Sequence, residues 1–228
     1  MGSIEETKAP VVCVFCGTSA GNSPAHLDAA RSLAQVFHKN GVKLVFGGGT
    51  SGLMGQVAGE LVKLSGPEAA HGVIPKALMA FERKYTNDED SAEKGLEEQR
   101  KMDENKFGRT SVVQDMHTRK QMMVDEVLAG GAGSGFVALS GGYGTLEELM
   151  EIVTWNQLGI HDKPVVLFNV EGYWDGLLQW VKKAVRVGFV AKGNSSIMSQ
   201  AHSADEVLKR LRDYESAEGR LQLQWDEE

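Results

Sequence analysis

Two short segments of the sequence carry charged side chains at the predicted start of a helix, and the first of them follows a glycine-rich turn. Ser140-Gly141-Gly142-Tyr143-Gly144-Thr145 runs directly into Leu146-Glu147-Glu148. Glycine-loop amides at the start of a helix bind anions such as phosphate, and a carboxylate so close to them is unusual for a phosphate cradle alone. Thr145 and Glu148 also have the spacing of a capping box, in which the glutamate only closes the helix end. The spacing alone leaves the cap and the functional carboxylate equally open.

The second segment, Met116-His117-Thr118-Arg119-Lys120, lies upstream where a predicted strand gives way to a helix. Arg119 offers a planar fork of donors and Lys120 a compact charge, and both suit a phosphate or a ribose. Cations at a helix N-terminus oppose the helix dipole, so a binding role is favoured over a solvated helix start. Histidine side chains can act as acids or bases near neutral pH, but a single histidine in a turn, such as His117, is more often structural.

A third glycine-rich segment, Gly47-Gly48-Gly49-Thr50-Ser51-Gly52, has the spacing G-x-G-x-x-G. In a dinucleotide-binding fold this motif follows the first strand, and an acidic residue at the end of the next strand holds the ribose. Here it follows the second predicted strand, and the next strand ends in Pro75. The pattern disfavours a dinucleotide cofactor and leaves a loop that can cradle a phosphate or a nucleoside.

Strand-like and helix-like segments alternate along the chain, and most of the strand-like ones are continuously apolar. The predicted strands are Val11–Phe15, Lys43–Phe46, His71–Ile74, Ser111–Gln114, Phe136–Leu139 and Pro164–Phe168, and the predicted helices are Ala25–Asn40, Leu53–Leu64, Met116–Ala129, Gly144–Leu158 and Trp174–Val187. This pattern predicts an α/β fold: a doubly wound, mostly parallel sheet with helices on both faces, Rossmann-like, in a single domain. Such sheets bind ligands at the carboxyl ends of their strands, so we expect the loops after Phe15, Phe46 and Leu139 to converge.

Length and composition bound the remaining possibilities. The length of 228 residues predicts one domain at 10–215, with peripheral tails at 1–9 and 216–228. The domain contains a charged insertion at about 82–110, whose composition is more typical of a solvated loop than of a lid over the site. A net charge of −7 argues against nucleic acid and anionic membranes as partners. No apolar run reaches the ~20 residues of a membrane span, and no signal segment is evident, so we expect a cytoplasmic protein.

The two cysteines, Cys13 and Cys16, lie three residues apart in the first predicted strand. Residues at that spacing point to opposite faces of a sheet, and no second cysteine or histidine pair completes a zinc site. We therefore expect two unreactive thiols and no metal.

The charged segments resemble motifs of a known family. Ser140–Glu148 is similar to the P-G-G-x-G-T-x-x-E motif of the lonely guy (LOG) family, the cytokinin riboside 5′-monophosphate phosphoribohydrolases, and Met116–Lys120 is similar to that family's arginine motif. Further similar segments are Val12–Ser19, Gly47–Gly49, Gly52–Gly55, Ile74–Lys76 and Thr154–His161, so the resemblance extends from about Val11 to Phe189. Two linked motifs in the right order are far more specific than either glycine loop alone.

The resemblance implies that Arg119 and Glu148 are the catalytic pair and that no cofactor is needed. The substrate-binding residues that it implies are Thr18, Ser19, Gly48, Gly49, Met54, Lys120, Gly141, Gly142, Tyr143, Gly144, Thr145 and Trp155. It further implies a homodimer. Two departures from the family pattern stand out: Ser140 replaces the motif's proline, and the charged insertion is longer than usual. Some members of the family carry the label lysine decarboxylase, but nothing in this sequence supports pyridoxal phosphate chemistry.

The implied reaction is hydrolysis of the N-glycosidic bond of an N6-modified adenosine 5′-monophosphate, which gives the free base and ribose 5-phosphate. One alternative is a nucleosidase that accepts ordinary nucleoside monophosphates such as AMP. Another is a nucleotide-binding protein without activity, in which Glu148 only caps its helix.

Overall fold

The protein, described here from a computed structural model, forms one parallel sheet flanked by helices. The structure describes residues 8–79, 103–223 and 225. Within them the strands are β1 (Val11–Phe15), β2 (Lys43–Phe46), β3 (Ala70–Pro75), β4 (Arg109–Val113), β5 (Gly135–Ala138), β6 (Val165–Phe168) and β7 (Met198–Ala201). They lie in the order β4-β3-β2-β1-β5-β6-β7, and every pair of neighbours is parallel. The predicted fold class is confirmed.

The helices follow the strands in alternation. They are α1 (Pro24–Lys39), α2 (Gly52–Ser65), the one-turn α3 (Glu104–Phe107), α4 (Met116–Ala129), α5 (Tyr143–Gln157), α6 (Asp175–Arg186) and α7 (Ala204–Arg212). The chain builds the sheet from β1 outward to β4 and then returns to the other side of β1 with β5. The loops after β1 and β5 therefore diverge from neighbouring strands, and they leave a crevice at the carboxyl edge of the sheet where ligands bind in such folds.

The two faces of the sheet carry separate hydrophobic cores. Helices α1, α2 and α7 cover one face, and α4, α5 and the start of α6 cover the other. Side chains alternate along β1 and the residue after it, so this segment contributes to both cores. Cys13 lies in the core under α4 and α5, and Cys16, just after β1, lies in the core under α1, α2 and α7. Both thiols are buried and free, so the predicted placement on opposite faces is confirmed.

The structure departs from the sequence-based expectation at two places. The unit β7–α7 was not predicted. Strand β4 begins at Arg109, so the last two residues of the predicted insertion at about 82–110 belong to the sheet; of that insertion, 82–102 lies outside the described residues. Among the described residues, no helix has the combined length and apolar character required to cross a membrane.

The predicted peripheral tail at 216–228 makes contacts with the body of the protein. Ala217 is buried, and the Leu221 amide donates to the Gln157 carbonyl at 2.8 Å. The Arg220 guanidinium donates to the carbonyls of Asn156 and His161 at 2.9 and 2.6 Å. Residues 217–225, where described, therefore pack over the end of α5, and the Leu221 amide is a partner for a carbonyl in the last turn of that helix.

Candidate active site

A cavity of about 360 Å³ opens at the carboxyl edge of the sheet, where the loops after β1, β2 and β5 meet. Its lining consists of Cys16, Gly17, Thr18, Gly47, Gly49, Met54, Ile74, Leu78, Met116, Arg119, Gly142, Gly144, Thr145, Glu147 and Glu148. The predicted convergence of three loops is confirmed. Larger depressions exist elsewhere on the surface, but this one combines glycine loops with buried ionisable groups.

Arg119 and Glu148 form a buried ion pair in the wall of the cavity. The distance from Arg119 Nη2 to Glu148 Oε1 is 3.1 Å, and the two side chains are only 7% and 6% exposed. Arg119 comes from the first turn of α4, whose N-cap Asp115 accepts a hydrogen bond from the Thr118 amide at 2.8 Å. Burying two charges costs several kcal/mol per ion unless they are well paired. Such a pair beside a cavity is therefore a candidate for function.

Glu148 is not a helix cap. Helix α5 begins at Tyr143 with Gly142 as its N-cap, and no side-chain cap hydrogen bond is present among the described residues. Thr145 therefore lies inside the first turn, too late to be the cap, and Glu148 lies in the second turn with its side chain facing inward. The capping-box interpretation is wrong, and the carboxylate remains without a structural role at the helix end.

Burial raises the pKa of Glu148 above the usual range of a glutamate, while the Arg119 charge acts in the opposite direction. Burial, together with the Glu148 charge, also raises the pKa of the Cys16 thiol. Desolvation thus leaves Glu148 a stronger base than a surface carboxylate, and the neighbouring thiol stays protonated.

The guanidinium of Arg119 fits against bare backbone. A Cβ built on Gly47 would lie 2.0 Å from Arg119 Nη2, so only glycine leaves room for it. Arg119 Nη1 lies 3.7 Å from the Met116 sulfur, and its buried Nε has no hydrogen-bond partner in the described part of the chain. Buried arginine donors normally find partners, so this side chain has an unused hydrogen-bond donor next to the cavity that it lines.

The loop after β1 packs tightly onto the start of α2. The Gly17 carbonyl accepts hydrogen bonds from the amides of Leu53 and Met54 at 3.1 and 3.3 Å. Gly52 has φ +56°, and a Cβ there would lie 2.3 Å from the carbonyl carbon of Thr18. A larger residue is therefore excluded twice, by backbone conformation and by space. The glycine-rich segment Gly47–Gly52 therefore allows two backbone segments to come together at the cavity.

Eight of the predicted site residues line the cavity: Thr18, Gly49, Met54, Arg119, Gly142, Gly144, Thr145 and Glu148. Gly48 and Gly141 belong to the same loops but are not among the lining residues. Ser19 is exposed beside it, and the Tyr143 side chain is 95% exposed. Their predicted contact with substrate stays a prediction.

Lys120 and Trp155 lie elsewhere. Lys120 Nζ donates to Glu147 and Glu151 at 2.6 and 3.0 Å, which ties α4 to α5. Desolvation acts to lower the pKa of Lys120, but these hydrogen bonds outweigh it and raise that pKa above its usual value. Trp155 packs against the core on the α4 and α5 face. In the structure Lys120 therefore links two helices and Trp155 is a core side chain, and the predicted contact of both residues with substrate stays a prediction.

Seven lining residues were not among the predicted site residues: Cys16, Gly17, Gly47, Ile74, Leu78, Met116 and Glu147. Ile74 lies at the end of β3, and Leu78 lies in a helical turn at 76–79 that follows this strand. The signal that points to both is their position after a strand, because every strand end of a parallel sheet faces the same edge. Met116 lies one turn before Arg119 on α4 and faces the same side.

Comparisons with known proteins agree with this geometry. A family model described as "Possible lysine decarboxylase" matches residues 54–211. A cytokinin riboside 5′-monophosphate phosphoribohydrolase of Arabidopsis thaliana is 43% identical over 92% of this chain and 85% of its own length. A bifunctional cytokinin biosynthesis protein of Fusarium pseudograminearum is 49% identical over 97% of this chain, which spans only 44% of that protein.

A solved structure, the molybdenum cofactor carrier protein of Chlamydomonas reinhardtii, is similar with a TM-score of 0.56 over 89% of this chain and 95% of its own. At 16% identity this likeness shows the fold alone. The family model covers well over half of the chain, and the Arabidopsis enzyme is similar over most of its own length. This chain therefore belongs to the lonely guy (LOG) family, the family of the cytokinin riboside 5′-monophosphate phosphoribohydrolases.

Proposed function

We propose that this chain hydrolyses the N-glycosidic bond of N6-modified adenosine 5′-monophosphates and releases the free cytokinin base and ribose 5-phosphate. The observation that carries the proposal is the buried Arg119–Glu148 pair in the wall of a cavity edged by glycine loops. The names of the similar Arabidopsis and Fusarium proteins support the same reaction class.

The two sides of the cavity suit the two ends of such a nucleotide. Gly142, Gly144 and Thr145 line it where α5 begins, and the positive end of a helix dipole attracts a phosphate. The apolar side chains of Met54 and Ile74, with Leu78 and Met116, contribute surface suited to a purine and an apolar N6 substituent. Between these two regions lie Arg119 and Glu148, level with the ribose of a nucleotide bound in this orientation.

The chemistry follows from the charge that develops on the sugar. When the bond between C1′ and N9 breaks, its electron pair leaves with the purine and positive charge builds on the ribose. Ionised Glu148 stabilises that charge and takes a proton from the attacking water, whose oxygen bonds to C1′. The purine takes up one proton, so water is divided between the two products. The proton donor to the purine stays unassigned.

Arg119 has two tasks in this scheme. Its charge keeps Glu148 ionised inside a dry site, and its remaining donors are available to the ribose or the phosphate. Because these contacts are fixed before the substrate binds, they cost little reorganisation during the reaction. Binding energy from the phosphate can then be used at the sugar.

The test is to detect free base by chromatography after incubation with N6-isopentenyladenosine 5′-monophosphate, AMP and the unphosphorylated N6-isopentenyl riboside. Fast release from the first substrate with little from the other two supports the proposal. Equal release from AMP would favour the broad nucleosidase. Binding of AMP without release from any of the three would favour a binding protein.

We also propose that the chain acts as a homodimer that uses the exposed side of α5. Leu146 is 38% exposed beside the fully accessible ring of Tyr143, and Met116 on α4 is 39% exposed at the cavity edge. Light scattering coupled to size-exclusion chromatography tests this, with Leu146→Glu expected to yield monomers. A monomeric wild-type protein would contradict it.

A further inference from the structure

Three aromatic side chains outside the cavity hold the segment that leads into its phosphate-facing loop. His26 Nδ1, at the start of α1, lies 3.0 Å from Ser140 Oγ. The Tyr173 hydroxyl donates to the carbonyl of Gly141. The Trp174 indole N–H donates to the carbonyl of Ala138, the last residue of β5, at 3.2 Å. Three positions at the strand end and in the loop are thus each held by a side chain from outside the site.

These three rings also pack against one another. His26 and Tyr173 meet edge to face at 6.0 Å between ring centroids, and Tyr173 meets Trp174 in the same way at 5.0 Å. Trp174 is 4% exposed, and its backbone amide donates to Asn169 Oδ1 at 2.8 Å. Tyr173, the middle ring of the three, is therefore anchored to the core through its buried neighbour Trp174, and such edge-to-face contacts favour one ring orientation.

Hydrogen bonds also occupy the backbone carbonyl groups of this loop. The Ser140 carbonyl accepts from the Gly17 amide at 2.9 Å, and the Gly141 carbonyl accepts from Tyr173. Both carbonyl oxygens are thereby held in hydrogen bonds. A free carbonyl oxygen that pointed towards a bound anion would repel it. The amides that follow, at the start of α5, stay available to a phosphate.

We infer that Tyr173 and His26 are positioning residues for the phosphate-binding loop, and that His26 fixes Ser140 in place of the ring that the family motif carries there. The inference rests on the proposed function, because it takes a phosphate as the ligand of this loop. A proline at this position restricts the backbone through its ring, whereas serine does not. The hydrogen bond from Ser140 to His26 supplies an equivalent restraint through the side chain.

Matched pairs of variants test the inference. Tyr173→Phe removes only the hydroxyl that holds Gly141, and Tyr214→Phe is its control, since the Tyr214 hydroxyl accepts from Asn156 far from the loop. His26→Ala has an equally close control in His38→Ala. His38 lies on the same helix and makes the same kind of contact, with Ser65 Oγ at 2.8 Å.

We expect ribose 5-phosphate, titrated by calorimetry, to bind about 3- to 10-fold more weakly to Tyr173→Phe and to His26→Ala, the range that one lost hydrogen bond produces. The KM for the nucleotide should rise by a similar factor, with a smaller change in kcat. The control variants should match the wild type. His26→Asn, which retains a polar group near the position of Nδ1, should restore most of the affinity.

The decisive variant is Ser140→Pro, which restores the ring restraint and keeps the carbonyl that Gly17 holds. In that background His26→Ala should have no further effect on ribose 5-phosphate binding. Equal losses in both backgrounds, or wild-type affinity in Tyr173→Phe and His26→Ala, would overturn the inference while the proposed function stands. A wild-type protein that does not bind ribose 5-phosphate would instead overturn the proposed function, and this inference with it.

Discussion

Replacing Gly47 with alanine tests whether the position of Arg119, and not only its charge, matters for activity. The new Cβ would lie 2.0 Å from Nη2 and 3.1 Å from Cζ of Arg119. Non-bonded heavy atoms pack at about 3.5–4.0 Å, so Nη2 must move by roughly 1.5 Å. The backbone of residue 47 does not need a positive φ, so the guanidinium takes the whole displacement.

The expected result is a folded enzyme with little activity. A displacement of about 1 Å in a catalytic group can cost on the order of 100-fold in rate, so we expect kcat to fall by about that factor. Overpacking of this kind costs about 1–3 kcal/mol in the free energy of unfolding. The assay is release of free base under saturating nucleotide, with thermal unfolding measured on the same samples.

Two comparisons make the result interpretable. Gly176→Ala in α6 is the control, because its Cβ would meet no atom within 4 Å apart from its chain neighbours and its own helix backbone, so it should leave activity unchanged and should not lower stability. In an Arg119→Ala background, Gly47→Ala should add nothing, since the clash acts only through Arg119. Wild-type kcat in a folded Gly47→Ala variant, or the same additional loss without Arg119, would refute the reasoning.

Four further predictions concern the ionisable groups. Burial raises the pKa of Glu148 above the ordinary 4.5, and the ionised form of this residue is the active one. In a pH-rate profile, kcat/KM should therefore fall as the pH is lowered through a value above 4.5. An acid limb at or below 4.5 would contradict this. Because the pKa of Glu148 is higher in the folded state than in the unfolded state, its contribution to stability is present below the unfolded pKa and is lost as the pH rises through the folded pKa. The loss of free energy of unfolding over that pH range, measured by urea unfolding, should therefore be smaller in Glu148→Gln. Lys120→Met should lower the free energy of unfolding by about 1–3 kcal/mol, because Glu147 and Glu151 lose their shared cation; unchanged urea unfolding would show that the tie contributes nothing. Both cysteines are buried with raised thiol pKa values, so a thiol-reactive disulfide reagent at neutral pH should react with neither in the native protein and with 2 after denaturation.

Much of the fold could be predicted because its elements are locally marked. The bounds of β1, β2 and α4 agree with the predicted ones, since apolar runs or helical spacing end there at glycines or polar turns. Strand β7, Met198–Ala201, was missed because its sequence, MSQA, has little apolar character. An edge strand is half exposed, so it does not need the apolar run that marks a central strand.

The candidate site was predicted in its loops but not in the direction of each side chain. Arg119 and Lys120 are adjacent on one helix, and only the contact of α4 with the sheet decides which of them faces the cavity. The same holds for Trp155, whose apolar ring fits a pocket or a core equally well by type. The role of Glu148 depended on where α5 begins, and a shift of one or two residues separates a cap from a buried carboxylate. The division into a domain at 10–215 with tails stays a prediction.

The central claim is that Glu148, paired with Arg119, cleaves the N-glycosidic bond of a bound nucleotide. The most direct measurement quantifies both products, free base and ribose 5-phosphate, from N6-isopentenyladenosine 5′-monophosphate with wild type and with folded Glu148→Gln. We predict equal amounts of the two products from the wild type and at least a 100-fold slower release from the variant, within the range for a positioned acid or base. Undiminished release by Glu148→Gln, or base without ribose 5-phosphate, would contradict the claim.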